Sequence, residues 1–292
     1  MSSAALAAAN RHGILCMSGA MALFIVNDAF IKYVSASLPA AQMIFVRSVL
    51  VTLIVFGAAR ALGATARLPL AGGRLVALRA FIDACATMFY LASLAHLPIA
   101  NATAINLAAP LFMTVFAVLF LRETVSAGRW LAIGAGFVGV LLVIQPRAQG
   151  FNAWALLTLV ATVFHAARDL LTRGIAPEVP SILVTLASAV AATLLSGAWL
   201  LTQGWQPMSP AQGFFLLCAA VFVAGGFYLI IASMRRGEMS VVGPFRYSGL
   251  LVALVLGYAI WGDVPNPLAW GGIALIIGSG LYILVSARAR AA

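Results

Sequence analysis

"FIVNDAFIKYV", residues 24–34, sets Asn27, Asp28 and Lys32 inside an apolar run too long to be a loop. The rest of the chain explains the run. Of 292 residues, 64% are hydrophobic and 8% are charged, against about 25% charged in ordinary soluble domains. Mean hydropathy is +1.08. No soluble globule could cover itself with so few water-compatible groups, so the chain reads as an integral membrane protein. The formal charge of +10 could suggest a nucleic-acid partner. The arginines instead cluster at the ends of apolar runs, where they set membrane topology, and no nucleic acid is expected. Cys16, Cys85 and Cys218 have no pair spacing, which implies neither a disulfide nor a metal site.

A helix crosses a bilayer in about 20 residues. Cutting the sequence at Gly, Pro and charge clusters gives ten spans: 13–35, 40–60, 72–94, 98–120, 127–145, 152–174, 180–202, 211–234, 239–261 and 267–286. Residues 1–13 are polar and short. The run after them is long enough to span, so it reads as a retained helix and not as a cleaved leader. One side of the bilayer receives Arg11, Arg60, Arg67, Arg74, Arg79, Arg122, Arg129, Arg173, Arg235, Arg236, Arg288 and Arg290. The other receives Lys32, Arg147 and little else. Basic residues favour the cytoplasmic side, which puts both termini inside.

The opening stretch also has a partner further along. At an offset of 141, "NDAFIK" (27–32) falls on "RDLLTR" (168–173), so that Asp28 meets Asp169, Lys32 meets Arg173 and Pro39 meets Pro180. At an offset of 140, Glu123 meets Asp263, Trp130 meets Trp270, Ile133 meets Ile273 and Leu141 meets Leu281. Between these regions "FYL" (89–91) meets "FYL" (227–229). The collinear matches imply a duplication, with halves 1–148 and 149–292 of five helices each. An odd number of spans inserts the second half upside down relative to the first. Inverted repeats of this kind mark secondary transporters.

Two segments carry a resemblance. They are "PIANATAINLAAPLFMTVFAVLFLRETVSAGRWLAIGAGFVGVLLVI" (98–144) and "SVVGPFRYSGLLVALVLGYAIWGDVPNPLAWGGIALIIGSGLYIL" (240–284). Each looks like the fourth and fifth helices of a half in the drug/metabolite transporter superfamily, EamA type. A small or polar helix start leads to an acidic residue at the helix end and then to a Gly-rich helix. The resemblance covers nearly the whole chain. It implies a multi-pass protein of the bacterial inner membrane with a central cavity between its halves. Bacterial members of that superfamily include exporters of amino acids, aromatic ones among them. Others import metabolites such as S-adenosylmethionine or carry sugars.

A charge near the bilayer centre costs about 2.5–3.5 kcal/mol on insertion scales. Asp28/Lys32, Arg79/Asp83 and Asp169/Arg173 are spaced i, i+4, which puts both members on one helix face. Lys32, Arg79 and Arg173 lie near helix ends and can snorkel, so each pair is either simple neutralisation or function. Asp83 is the deepest of the three carboxylates. Arg47 and Arg246 have no partner on their own helix. Pro244, in "VVGPF", should break the ninth helix, which is tolerated where backbone lines a cavity. Arg246 falls on Asn106 in the other half. Tyr90 and Tyr228 are repeat mates, and Tyr247 follows Arg246. Each is either interfacial belt or substrate wall. His165 lies one turn from Asp169 and is either a satisfied buried His or a proton carrier. Asn101, Thr103 and Asn106 could hydrogen-bond a substrate or a neighbouring helix.

No nucleophile with a base at one membrane depth, no ligand-spaced His or Cys pair and no phosphate loop is evident, so enzymatic activity, a metal and any cofactor are not expected. A channel lacks a filter-like loop. A lipid flippase stays open as a rival. The sequence reading is therefore an all-α carrier of small amphipathic metabolites, working as a monomer by alternating access. The expected substrate-binding set is Asn27, Asp28, Asp83, Tyr90, Asn101, Asn106, His165, Tyr228, Arg246 and Tyr247. Asp28, Asp83 and Asp169 are the candidate proton-coupling residues. Arg246 or Arg47 would take a carboxylate, and Asp83 or Asp28 an ammonium. Amino-acid export is the expected activity, with uptake of a zwitterion such as S-adenosylmethionine as the alternative.

Overall fold

The computed structural model describes residues 3–122, 125–145, 152–236 and 239–288. Among the described residues every regular element is helical. That follows from composition, because a backbone buried in hydrocarbon must satisfy its polar groups within its own segment. The elements are α1 (Ser3–Ser35), α2 (Ala40–Ala61), a 3-10 segment (Ala64–Gly72), α3 (Arg74–Leu94), α4 (Ile99–Asn106), α5 (Ala109–Leu121) and α6 (Ala127–Ile144). They continue with α7 (Ala153–Arg173), α8 (Ser181–Gln203), α9 (Pro210–Arg236), α10 (Met239–Val242), a 3-10 turn (Gly243–Tyr247), α11 (Ser248–Leu256), a π segment (Gly257–Trp261) and α12 (Pro267–Arg288).

Each expected stretch is helical. Nine described segments are long and apolar enough to cross a membrane, and Pro267–Ile283 of α12 is a shorter apolar stretch. The first helix begins earlier than the sequence reading placed it, at Ser3 and not at residue 13. Its opening "SAALAAAN" is alanine-rich, and alanine is the best helix former.

Helix ends repeat at the duplication offset. Pro39 precedes α2 and Pro180 precedes α8, both with extended ψ. A proline there starts a helix and cannot continue one backwards. Gly63 and Gly204, also 141 apart, follow the same two helices with φ of +67° and +77°. That region strains any residue with a Cβ.

Two spans are interrupted. The fourth breaks between α4 and α5 at Leu107–Ala108, just before Pro110. The ninth tightens into 3-10 geometry at Gly243–Tyr247, around Pro244, as the missing proline donor dictates. Asn106 and Arg246, 140 apart, therefore both stand at an interruption.

The chain forms two compact units, and each draws on both halves of the sequence. The first unit comprises Met1–Ala29, Pro98–Ala153 and Gly225–Ala292. The second comprises Phe30–Leu97 and Trp154–Ala224. Within the first, α6 packs on α12 and α4 on α11. Small residues let the α6 and α12 backbones meet. A Cβ on Gly139 would lie 2.7 Å from the Gly272 carbonyl oxygen, and one on Gly272 would lie 2.5 Å from that of Gly139. Within the second unit, α8 packs on α2 and α3. There Thr52 Oγ1 and Thr193 Oγ1, which are 141 apart in sequence, hydrogen-bond at 3.1 Å. In each unit, then, a helix of one half packs against its counterpart from the other.

Candidate functional site

The second unit carries a buried ionic network. α3 supplies Arg79 and Asp83, four residues apart and so on one face. α7 supplies Arg168 and Asp169. Arg79 Nη1 donates to Asp83 Oδ2 at 3.0 Å. Arg168 Nη1 donates to Asp83 Oδ1 at 2.8 Å. Both Asp83 oxygens are thus held by guanidinium groups from different helices. Arg168 also donates from Nε at 3.0 Å and from Nη2 at 2.9 Å, both to Asp169 Oδ1. Arg79 reaches on to Thr172 Oγ1 at 3.3 Å and to Ser188 Oγ of α8. The network balances two cations against two carboxylates. It ties three helices together with charge-assisted bonds, which are about twice as strong as neutral ones.

Exposure rises across this network. The Asp83 side chain is 11% accessible, that of Arg168 20% and that of Asp169 27%. Tyr90, buried on α3, has its ring 6.2 Å from that of half-buried His165 on α7. The structure thus brings together Asp83, Tyr90, His165 and Asp169 of the expected residues. It adds Arg168, which the sequence reading passed over. The signal was available: Arg168 opens the "RDLLTR" stretch and is the offset mate of Asn27.

Asn27 and Asp28 belong to the first unit. Asn27, 2% exposed, donates from Nδ2 to Asp28 Oδ1 at 2.9 Å. This neighbour-to-neighbour bond is the counterpart of Arg168 to Asp169. Lys32, in the second unit, donates to the Leu97 carbonyl at 2.8 Å, at a chain turn beside Pro98.

The remaining expected residues of the first unit surround its interrupted helices. Tyr247 is 7% exposed, and its hydroxyl has no partner. It lies against Gly280 of α12, where a Cβ would collide with the Tyr247 hydroxyl. Asn101 Oδ1 and Thr103 Oγ1, both on α4, are likewise buried without partners. Arg246 and Asn106 are half-buried at the two interruptions. Tyr228 is 73% exposed on α9, the opposite of its mate Tyr90. Arg47 is buried on α2 in the second unit. Among the described residues no group of three His, Cys, Asp or Glu side chains could hold a metal ion.

The model of the EamA-like transporter family matches this chain twice, over residues 11–145 and 152–285. A pseudopaline exporter of Pseudomonas aeruginosa (strain UCBPP-PA14) is 25% identical over 268 residues, covering 91% of this chain and 94% of the relative. A riboflavin transporter of Vibrio cholerae is 27% identical over 277 residues, covering 93% and 92%. An S-adenosylmethionine uptake transporter of Rickettsia conorii is 24% identical over 196 residues, covering 65% of each. A solved crystal structure shares the fold with a TM-score of 0.67 at 18% identity, covering 97% of this chain and 100% of that one.

Proposed function

We propose that this chain, which belongs to the EamA-like transporter family, carries a small zwitterionic metabolite across the inner membrane of a bacterium by alternating access. The supporting observation is the Arg79–Asp83–Arg168–Asp169 network in otherwise apolar helices. Ionisable groups at such depth are expensive, and where they are kept they generally serve a substrate or ion pathway. A cargo with both charges suits a network that holds both. Amino acids, aromatic ones included, are the first candidates, and export is the proposed direction.

Uptake of S-adenosylmethionine has equal support. That compound also bears an amino-acid end, and a relative is named for its uptake. In this reading the halves 1–148 and 149–292 insert in opposite orientations as ten spans with both termini cytoplasmic, and the protein works as a monomer. Asn27, Asp28, Asp83, Tyr90, Asn101, Asn106, His165, Tyr228, Arg246 and Tyr247 contribute to binding. Asp28, Asp83 and Asp169 are the places where a coupling proton could reside, whereas a uniporter would need none.

The test is transport by purified protein in liposomes loaded with labelled amino acids or S-adenosylmethionine, with and without a pH gradient. Selective movement of either cargo supports the reading, and gradient dependence identifies proton coupling. Movement of labelled phospholipid alone would make the protein a flippase. Unchanged transport by a correctly inserted Arg246→Ala variant would remove Arg246 from the site.

A further inference from the structure

We infer that the connection between α2 and α3 docks on anionic phospholipid headgroups, with Arg60, Arg67 and Arg74 taking the phosphates and Leu62, Leu68 and Leu70 entering the acyl boundary. Such docking requires a membrane-embedded chain and is independent of the cargo.

The connection is built and yet unburied. Arg60 stands in the last turn of α2 and Arg74 opens α3, with the 3-10 segment Ala64–Gly72 between them. That segment packs on α2, α3 and α8, so it has a fixed place in the second unit. None of its nine residues is buried. Leu62, Leu68 and Leu70 are all exposed. An element that keeps its place without a core residue, and shows leucines beside arginines, has the composition of an interfacial segment. In such a segment the apolar side chains enter the headgroup boundary while the basic ones stay with the phosphates.

Charge selects the lipid. Arg60, Arg67 and Arg74 recur every seven residues and are exposed. Among the described residues none of the three has a hydrogen-bond or ion-pair partner. No acid lies between Asp28 and Asp83 in the sequence. The end of α7 comes to the same place, since a Cβ on Gly174 would lie 3.2 Å from Leu75 Cδ2. The exposed Glu178 that follows forms no ion pair with these arginines. Three fixed positive charges are thus open to an outside anion. A guanidinium can fork onto two phosphate oxygens. A basic residue at the membrane surface raises affinity for anionic lipid about five-fold.

The opposite end of the same unit supplies the contrast. There the connection from α8 to α9, residues 204–209, carries no charged residue. It turns its polar groups inward: Gln206 N donates to Gln42 Oε1 at 2.9 Å, and Gln42 Nε2 donates to the Gln206 carbonyl at 2.8 Å. Trp205 is exposed there, as interfacial aromatics are. One end of the unit is neutral and tied to itself, and the other is basic and open. Topology accounts for the side on which the arginines lie. It does not account for the exposed leucines among them.

The test is lipid binding to the purified full-length protein, delipidated in detergent, by native mass spectrometry. The probes are phosphatidylglycerol and phosphatidylcholine with the same acyl chains. Phosphatidylglycerol should bind at least about ten-fold tighter at low salt, and the preference should shrink as salt rises. Arg67→Gln should weaken phosphatidylglycerol about five-fold and leave phosphatidylcholine unmoved. If Arg67→Gln is not recovered folded, Arg74→Gln decides on the same reading. Equal affinity for the two lipids, or a preference untouched by the substitution, would overturn the inference and leave the arginines as topology signals. Displacement of phosphatidylglycerol by an equal concentration of inorganic phosphate would also overturn it, because the occupant would then be a soluble anion.

Discussion

The two compact units differ in how fully they satisfy their buried polar groups. In the second unit the polar atoms satisfy one another: Arg79, Asp83, Arg168 and Asp169 interlock, and Thr52 meets Thr193. In the first, Asn101, Thr103 and Tyr247 each bury an oxygen that has no partner. A buried polar atom without a partner costs about 1–3 kcal/mol, whereas a paired one contributes modestly. Both units link helices through polar residues, as Arg129 to Ser286 does in the first, but the first also leaves three polar oxygens without partners on or beside its interrupted helices. Unspent capacity is what a passing ligand, or a second conformation, can use.

The comparison is most easily broken at Asp83. Replacing it with Ala leaves two guanidinium groups buried without their shared carboxylate. Removing one member of a buried pair typically costs about 3–5 kcal/mol, and unfolding of the detergent-solubilised protein in SDS would read the loss. A much smaller loss would mean that water already reaches Arg79. Next comes Gly280→Ala in the first unit, whose new methyl would collide with the Tyr247 hydroxyl. Overpacking of this kind costs about 1–3 kcal/mol, and Tyr247→Phe in the same chain should relieve part of it.

On its own, Tyr247→Phe should raise stability by about 1 kcal/mol, since it removes a hydroxyl that is paying for burial. If that hydroxyl serves the cargo, the same variant should transport more slowly at higher melting temperature. A loss of stability would show that the hydroxyl is satisfied, and the contrast between the units would collapse there. The smallest effect belongs to Thr52→Val. It deletes one interhelical hydrogen bond, of a kind that averages about 0.6 kcal/mol in membrane proteins, and it should leave transport unchanged. A loss as large as that from Asp83→Ala would mean that Thr52 does more than link α2 to α8.

Much of this was legible in the sequence because membranes permit so little. Apolar length placed the helices, and Pro244 announced the break at Gly243–Tyr247. The interruption before Pro110 was equally written but easier to miss, since Leu107–Ala108 is itself apolar. The early start of α1 was hidden because its first residues are helix-forming without being a span. The i, i+4 rule anticipated Arg79 with Asp83. It could not anticipate that Arg168 would complete that pair, because Arg168 and Asp83 are 85 positions apart.

The sequence by itself determined a membrane-embedded, all-helical chain whose two stretches each match one family model, and it marked which spans carry charge. Only tertiary structure decided which charges meet, that Arg168 bridges Asp83 and Asp169, and that Tyr247 is left without a partner while Tyr90 lies near His165. The reason is physical. Helical periodicity fixes which residues share a face, and hydrocarbon fixes that the segment is a helix. Which face of another helix lies opposite is chosen by packing, through close approaches such as that of Gly139 to Gly272.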